Sequence, residues 1–419
     1  MNSHCLAASP RARGTISVVS TLALLSLTLS ADAQSSPPPS RAWIDVATFS
    51  GMDMSMGGLA AAAGNPMAAL GSLFGGGNGG NGGNAFGNTQ AGSAGRWVDV
   101  TLFASANPTL AEAQHAVPAG FLSPSLKLRS PKETRGRVPD NDDAVDPVNE
   151  KPQGRILMYW GCGDTVRAGQ PKVLDMATAQ AAELGRFFVS RRATQRGTHQ
   201  AVGRPLWPNS ADARMVPASA SLVGEHTFTG SGVPEGFRVQ IAAAQDLMPP
   251  LNLQTQDSGG ATLLNWTAAP TARAYFASAM VSNERSEMVL WTSSELPDTG
   301  MGLMDYQTNV AVDRWLREKV LLKPSVTTCT VPKGVLGGEG AMLRVIAYGS
   351  EVNFAYPPRP AKADAPWNPE WTAKVRVKSV SSAIAGMKDM NEAPGRPGET
   401  KPDPANPSPL KLLRGIFGG

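Results

Sequence analysis

The chain has 419 residues and a formal net charge of +4 at pH 7, with 42% hydrophobic and 17% charged residues. This length accommodates two or three domains. The mild positive charge argues against nucleic-acid binding, because nucleic-acid-binding domains usually carry a marked basic excess. We therefore expect no nucleic-acid partner.

Residues 1–33 have the layout of a secretory signal peptide. Arg11 and Arg13 precede an apolar run over 16–29, and the small residues 31–33 suit cleavage near Ala33. The run is short for a membrane span, and no later segment approaches about 18 uninterrupted apolar residues. We expect an exported protein, periplasmic or extracellular, whose mature chain has no transmembrane span. Peripheral membrane contact stays open.

A polar leader over 34–40 is followed by a pattern that occurs twice. The stretches AWIDVATF (42–49) and RWVDVTLF (96–103) share Trp, an aliphatic residue, Asp, Val, two variable residues and Phe. Side chains alternate between the faces of a strand, so Trp43, Asp45 and Phe49 share one face, as do their counterparts in the second copy. We predict two strands of one sheet, with chance similarity between ordinary strands as the alternative.

Two short apolar peptides lie in sequence that we expect to be disordered. A Gly-rich insertion spans 51–95, and a Pro-, Gly- and charge-rich tail spans 385–419. Within them, PMAALGSLFGG (66–76) and PLKLLRGIFGG (409–419) follow a common pattern. Such peptides often dock onto a partner, although compositional coincidence also explains the similarity. The candidate docking residues are Leu70, Phe74, Leu413 and Phe417.

The region 41–245 is predicted to form an N-terminal β domain. It contains the insertion 51–95, a charged linker over 127–154, and strand candidates at 155–162, 224–230 and 236–244. A helix is predicted over 178–192, with Thr178 as a possible cap.

A second β domain is predicted over 249–380. It begins with a predicted strand that contains Leu251 and Leu253, then has a Gly-Gly turn, Trp266 and Tyr275, and ends with alternating strands at 341–358 and 371–380. This order resembles a fibronectin type III or related immunoglobulin-like domain, which implies a β-sandwich with the tryptophan in its core. A predicted helix over 305–321 departs from that family. The predicted fold class is mainly β, with two β-sandwich domains, a few inserted helices and long disordered segments.

Two groups of cations are candidate anion sites. Lys374, Arg376 and Lys378 occupy one face of the last strand at spacing two, which suits a phosphorylated or acidic glycan. The alternative, which we favour, is an edge strand that lysines protect from aggregation. The second group comprises Arg191, Arg192 and Arg196, for which a solvated helix end is the alternative.

Signals for catalysis are sparse. Cys162 and Cys329 are the cysteines of the mature chain, and they either form one disulfide or stay as separate thiols. The three scattered histidines of the mature chain do not indicate a zinc site, and no familiar hydrolase or phosphate-loop motif occurs. The 292–305 loop concentrates hydroxyl and carboxyl side chains, namely Ser293, Ser294, Glu295, Asp298 and Asp305.

The sequence favours a non-catalytic exported protein that binds or assembles with an envelope protein or glycan, with no catalytic residue, cofactor or metal assigned. One alternative is a hydrolase of envelope polysaccharide that uses the acids of the 292–305 loop. Another is a metal carrier, because Met52, Met54 and Met56 supply closely spaced thioethers.

Overall fold

Strands are the main regular element of the described chain. In this computed structural model, the described residues are 38–51, 83–91, 93–132, 154–191, 200–283, 285, 287–337, 340–362 and 365–385. The strands are β1 (Ser40–Gly51), β2 (Gly95–Phe103), β3 (Glu112–Ala116), β4 (Ser125–Arg129), β5 (Arg155–Trp160), β6 (Lys172–Asp175), β7 (Leu206–Trp207), β8 (Gly224–Thr229), β9 (Arg238–Ile241), β10 (Gln254–Ser258), β11 (Ala261–Asn265), β12 (Ala274–Ser282), β13 (Met288–Thr292), β14 (Thr328–Val331), β15 (Met342–Tyr348), β16 (Val352–Tyr356) and β17 (Trp371–Ile384). The helices are α1 (Asn88–Ala91), α2 (Ala181–Phe187) and α3 (Asn309–Arg317).

Most of these strands belong to one 14-stranded sheet in the order β6-β5-β13-β12-β15-β17-β1-β2-β7-β4-β3-β8-β9, with β16 also paired to β17. A second sheet of three strands has the order β10-β11-β14. The predicted mainly-β fold class is confirmed. No helix in the part of the chain that the structure describes is long and apolar enough to cross a membrane.

The two copies of the Trp-Asp-Val pattern form neighbouring strands. β1 and β2 pair antiparallel, with Asp45 opposite Asp99 and Trp43 opposite Thr101. The predicted pairing of the two copies in one sheet is therefore confirmed. The C-terminal strand β17 pairs in parallel with β1, so the last described strand lies beside the first.

The large sheet contains strands from both sides of the predicted boundary between residues 245 and 249. β5 from the N-terminal side pairs with β13, and β17 from the C-terminal side pairs with β1. The described chain from Pro38 onward forms one compact unit. The division into two sandwiches and the resemblance to fibronectin type III domains stay predictions.

Both predicted helices are present but shorter than expected. The helix predicted over 178–192 is α2, whose N-cap is Gln180 rather than Thr178 because the Glu183 side chain accepts a hydrogen bond from the Gln180 N–H at 2.9 Å. The helix predicted over 305–321 is α3, in which the Thr308 hydroxyl accepts from the Ala311 N–H at 3.2 Å and so defines the start. The strand expected at 251–253 begins only at residue 254.

Strand alternation gives the large sheet two different faces. One face carries the main apolar core, to which Ile44, Val375 and Val345 belong. The opposite face carries two smaller apolar clusters, one containing Phe276 and Trp315 and the other lying under α2. Near β1, β2 and β17, this opposite face carries buried charges as well as apolar side chains such as Trp97 and Val380.

Candidate functional site

The repeated aspartates lie at the centre of the charged face. The Asp45 and Asp99 side chains are each about 1% exposed and face each other across the β1–β2 pair. Asp45 accepts from both Nε and Nη2 of Arg376 on β17, with 2.7 Å between Nε and Oδ1. This two-point contact is the strongest type of side-chain ion pair. Asp45, from the first copy of the pattern, therefore joins β1 to β17.

Asp99 has a different set of partners. Its oxygens accept from the Gly87 N–H at 3.1 Å and from the Thr89 hydroxyl, which tie the 83–91 turn to β2. Among the described residues, no cation forms a salt bridge with Asp99. Burial raises the pKa of Asp99 to about 7, helped by the charge of Asp45 and opposed by the Thr89 and Gly87 hydrogen bonds.

The basic face of the last strand lies largely inside the protein. Arg376 and Lys378 are 2% and 1% exposed, and Lys378 Nζ lies 3.5 Å from Asp305 Oδ1. Lys374 is more accessible and contacts Glu351 at 3.0 Å. An acidic glycan would have to reach Arg376 and Lys378 inside the protein, so their predicted anion-binding role stays a prediction. The edge-strand alternative is wrong, because β17 lies between β15 and β1.

Tyr306 lies between the two buried cations. The Arg376 guanidinium carbon is 4.5 Å from the centre of the Tyr306 ring, and Lys378 Nζ is 4.3 Å from it. Cation–π attraction of this kind partly replaces lost hydration. Burial lowers the pKa of Lys378, whereas the charges of Asp305 and Asp45 act in the opposite direction. The phenol, a buried neutral group, completes a closed polar cluster.

The acids of the 292–305 loop are all in ion pairs. Glu295 contacts Arg167 at 2.6 Å, Asp298 contacts Arg191, and Asp305 contacts Lys378. The hydroxyls of this loop also support the fold. The Ser293 hydroxyl accepts from the Ala277 N–H at 2.9 Å, and the Ser294 hydroxyl accepts from the Leu296 N–H at 3.0 Å.

The arginine cluster is only partly described. Arg191 is mostly buried and contacts Asp298 as well as Glu318, which lies 3.3 Å away, so its charge already has two acidic partners. Arg192 and Arg196 lie outside the described residues. Their predicted role in anion binding stays a prediction.

A surface pocket of about 430 Å³ adjoins Arg191 and the start of α3. Val310 is 77% exposed, and Val189 is also exposed. The apolar lining comprises Val189, Val310, Ala311 and Trp315, and the cationic lining comprises Arg191 and Arg314. Apolar surface that carries arginine is typical of contact sites for other molecules. The sequence does not reveal this pocket, since its two sides are more than a hundred residues apart.

Cys162 and Cys329 form a disulfide, with their Cα atoms 5.3 Å apart. This resolves the alternatives that the sequence leaves open. It also removes Cys162 as a thiolate nucleophile in the oxidised protein. Close by, the Trp291 indole N–H donates to the Gly161 carbonyl at 3.0 Å.

Two histidines that appear unrelated in the sequence meet in the core. His115 Nε2 lies 3.0 Å from His226 Nδ1, and His226 Nε2 lies 2.7 Å from the Leu222 carbonyl oxygen. Because the carbonyl only accepts, His226 Nε2 carries a proton, and in the neutral pair His115 Nε2 donates to His226 Nδ1. Burial lowers the pKa of both histidines.

Comparisons with protein-family models, with curated proteins and with solved structures each find no match. No group of three potential metal-ligating acids, histidines or cysteines occurs among the described residues. The methionine tract lies outside those residues, as do the docking residues predicted from the sequence, namely Leu70, Phe74, Leu413 and Phe417.

Proposed function

We propose that this protein is an exported binding or assembly protein of the cell envelope and that it acts without catalysis. The observation that supports a role without catalysis is the ion pairing of the acids in the 292–305 loop. Glu295, Asp298 and Asp305 each contact a cation within the protein. A glycoside hydrolase instead directs two carboxyl groups at the scissile bond. The pairing therefore favours a structural role for the loop.

The disulfide supports the exported location. Disulfides persist in oxidising compartments and are rare in the reducing cytosol. The Cys162–Cys329 bond links segments 167 residues apart, so it connects distant parts of the sheet system. A bond of this kind suits a protein that matures after export, in agreement with the predicted signal peptide over 1–33.

We assign the pocket beside α3 as the contact surface for an envelope protein or glycan. Its valines are exposed, whereas the buried cations of β17 are inaccessible to a large partner. Interfaces usually combine a desolvated apolar centre with arginines. Val310 is central to this assignment because it is the most exposed of the large apolar residues identified in the described chain.

The experiment is co-sedimentation of the purified mature protein with isolated envelope fragments, comparing the natural chain with Val310→Asp. Position 310 is the second residue of α3, where a carboxylate interacts favourably with the helix dipole, so the fold is expected to persist. The matched control is Val202→Asp, at a residue that is 54% exposed and absent from the pocket lining.

We expect Val310→Asp to weaken sedimentation about tenfold or more in apparent affinity, as the loss of an apolar contact at an interface centre does. Val202→Asp should behave like the natural chain. Equal binding by all three proteins would remove the pocket as the contact surface. No sedimentation of the natural chain with any envelope fraction would contradict the binding function itself.

A further inference from the structure

Asp99 lies opposite another buried acid. Asp45 faces it across the β1–β2 pair, and Arg376 binds Asp45. The Tyr306 phenol, whose pKa is raised by burial and also by the charge of Asp99, lies near it. Among the described residues no cation forms a salt bridge with Asp99, so its ionised form adds a second negative charge directly opposite Asp45, and such a charge is costly.

The element over Asp99 is a short turn, and within the described chain three of its residues form hydrogen bonds to the rest of the protein. Residues 83–91 contain no ionisable side chain, and α1 within them is only four residues long. The turn is attached through Gly87 and Thr89 to Asp99, and through the Asn84 amide, which donates to the Arg214 carbonyl at 2.6 Å. Local opening of such a segment costs less free energy than global unfolding.

We propose that Asp99 is a proton-controlled clasp, such that the 83–91 turn closes over the protonated carboxyl and opens when the proton leaves to solvent. Closure removes Asp99 from water while Asp45 stays opposite it on β1, so closure and proton binding favour each other. Opening returns the carboxylate to water, where the excess negative charge is hydrated.

Linkage determines the direction and size of the effect. The pKa of Asp99 is about 7 in the closed protein and has an ordinary value of 3.8 when the group is hydrated. Since the closed state holds its proton more tightly, raising the pH favours opening. For these two values, the opening equilibrium constant increases about 50-fold between pH 5 and pH 7 and only about twofold from pH 7 to pH 9.

Amide hydrogen exchange of the full mature protein tests the clasp. The Gly87 N–H donates to Asp99, so its protection factor, corrected for the intrinsic pH dependence of exchange, reports opening. The Val100 amide on β2 is the internal reference. We expect Gly87 protection to fall about 50-fold from pH 5 to pH 7, while Val100 stays protected.

Two variants identify the titrating group. Asp99→Asn keeps an oxygen that accepts from Gly87 and Thr89, and its Gly87 protection should not depend on pH. Thr89→Val removes a hydroxyl that stabilises the ionised form, so it should displace the profile to higher pH. The clasp is refuted if natural Gly87 protection is constant from pH 5 to pH 7, if Val100 opens in parallel, or if both variants keep the natural profile.

Discussion

The Arg376–Asp45 pair offers the sharpest test of how the charged face stabilises the fold. Both side chains are almost fully buried and joined by two hydrogen bonds. Replacing Asp45 with Asn, or Arg376 with Met, removes one charge of this pair and leaves the other buried. We expect each single substitution to lower the free energy of unfolding by about 3–5 kcal/mol.

The double variant Asp45→Asn/Arg376→Met distinguishes a paired charge from two independent contributions. It removes both charges together, so it should cost less than the sum of the single variants by about 1–3 kcal/mol. Urea unfolding, followed by tryptophan fluorescence, gives the unfolding free energy of all four proteins. Equal m-values show that unfolding exposes the same amount of surface in each of them. Single substitutions that cost under about 1 kcal/mol each, or costs that simply add, would refute a structural role for this pair.

Two further predictions concern stability. Reducing the Cys162–Cys329 disulfide, or replacing both cysteines with Ser, should lower the unfolding free energy by about 2–5 kcal/mol. The reason is that the bond closes a loop of 167 residues in the unfolded chain. An unchanged urea midpoint would contradict this prediction. Burial lowers the pKa of His115 and His226, so the folded protein holds both histidines neutral. Stability is therefore greatest above their ordinary pKa of 6.5. It falls as the pH drops below that value, by up to about 1.4 kcal/mol per pH unit for each histidine. The difference between the urea profiles of the natural chain and His115→Phe isolates this effect, and parallel profiles between pH 7 and pH 5 would refute it.

Local sequence patterns predicted the strands well because a strand determines the face of each side chain independently of its neighbours. The pattern around Asp45 and Asp99 predicted two strands of one sheet, and the structure pairs them in register. The same alternation correctly placed Lys374, Arg376 and Lys378 on one face. Period-two alternation does not say, however, whether a polar face meets water or other polar groups.

The environment of that face depends on contacts between distant parts of the chain. Arg376 binds Asp45, which is 331 residues away, and no local pattern encodes such a pairing. The same limit applies to the His115–His226 contact, to the disulfide that the sequence left open, and to the pocket between Val189 and α3. The helix starts were misplaced for a local reason, since the N-caps at Gln180 and Thr308 begin the helices later than the apolar periodicity alone indicates.

The most direct test of a non-catalytic binding protein is a turnover assay on its bound material. Purified mature protein is incubated with isolated envelope polysaccharide, and soluble sugar fragments are measured by chromatography alongside the bound fraction. We predict stable binding with no fragment release above that of a heat-unfolded sample. Release of fragments by the natural chain, abolished by Glu295→Gln or Asp298→Asn while binding persists, would show that the loop acids are catalytic and would contradict the proposed function.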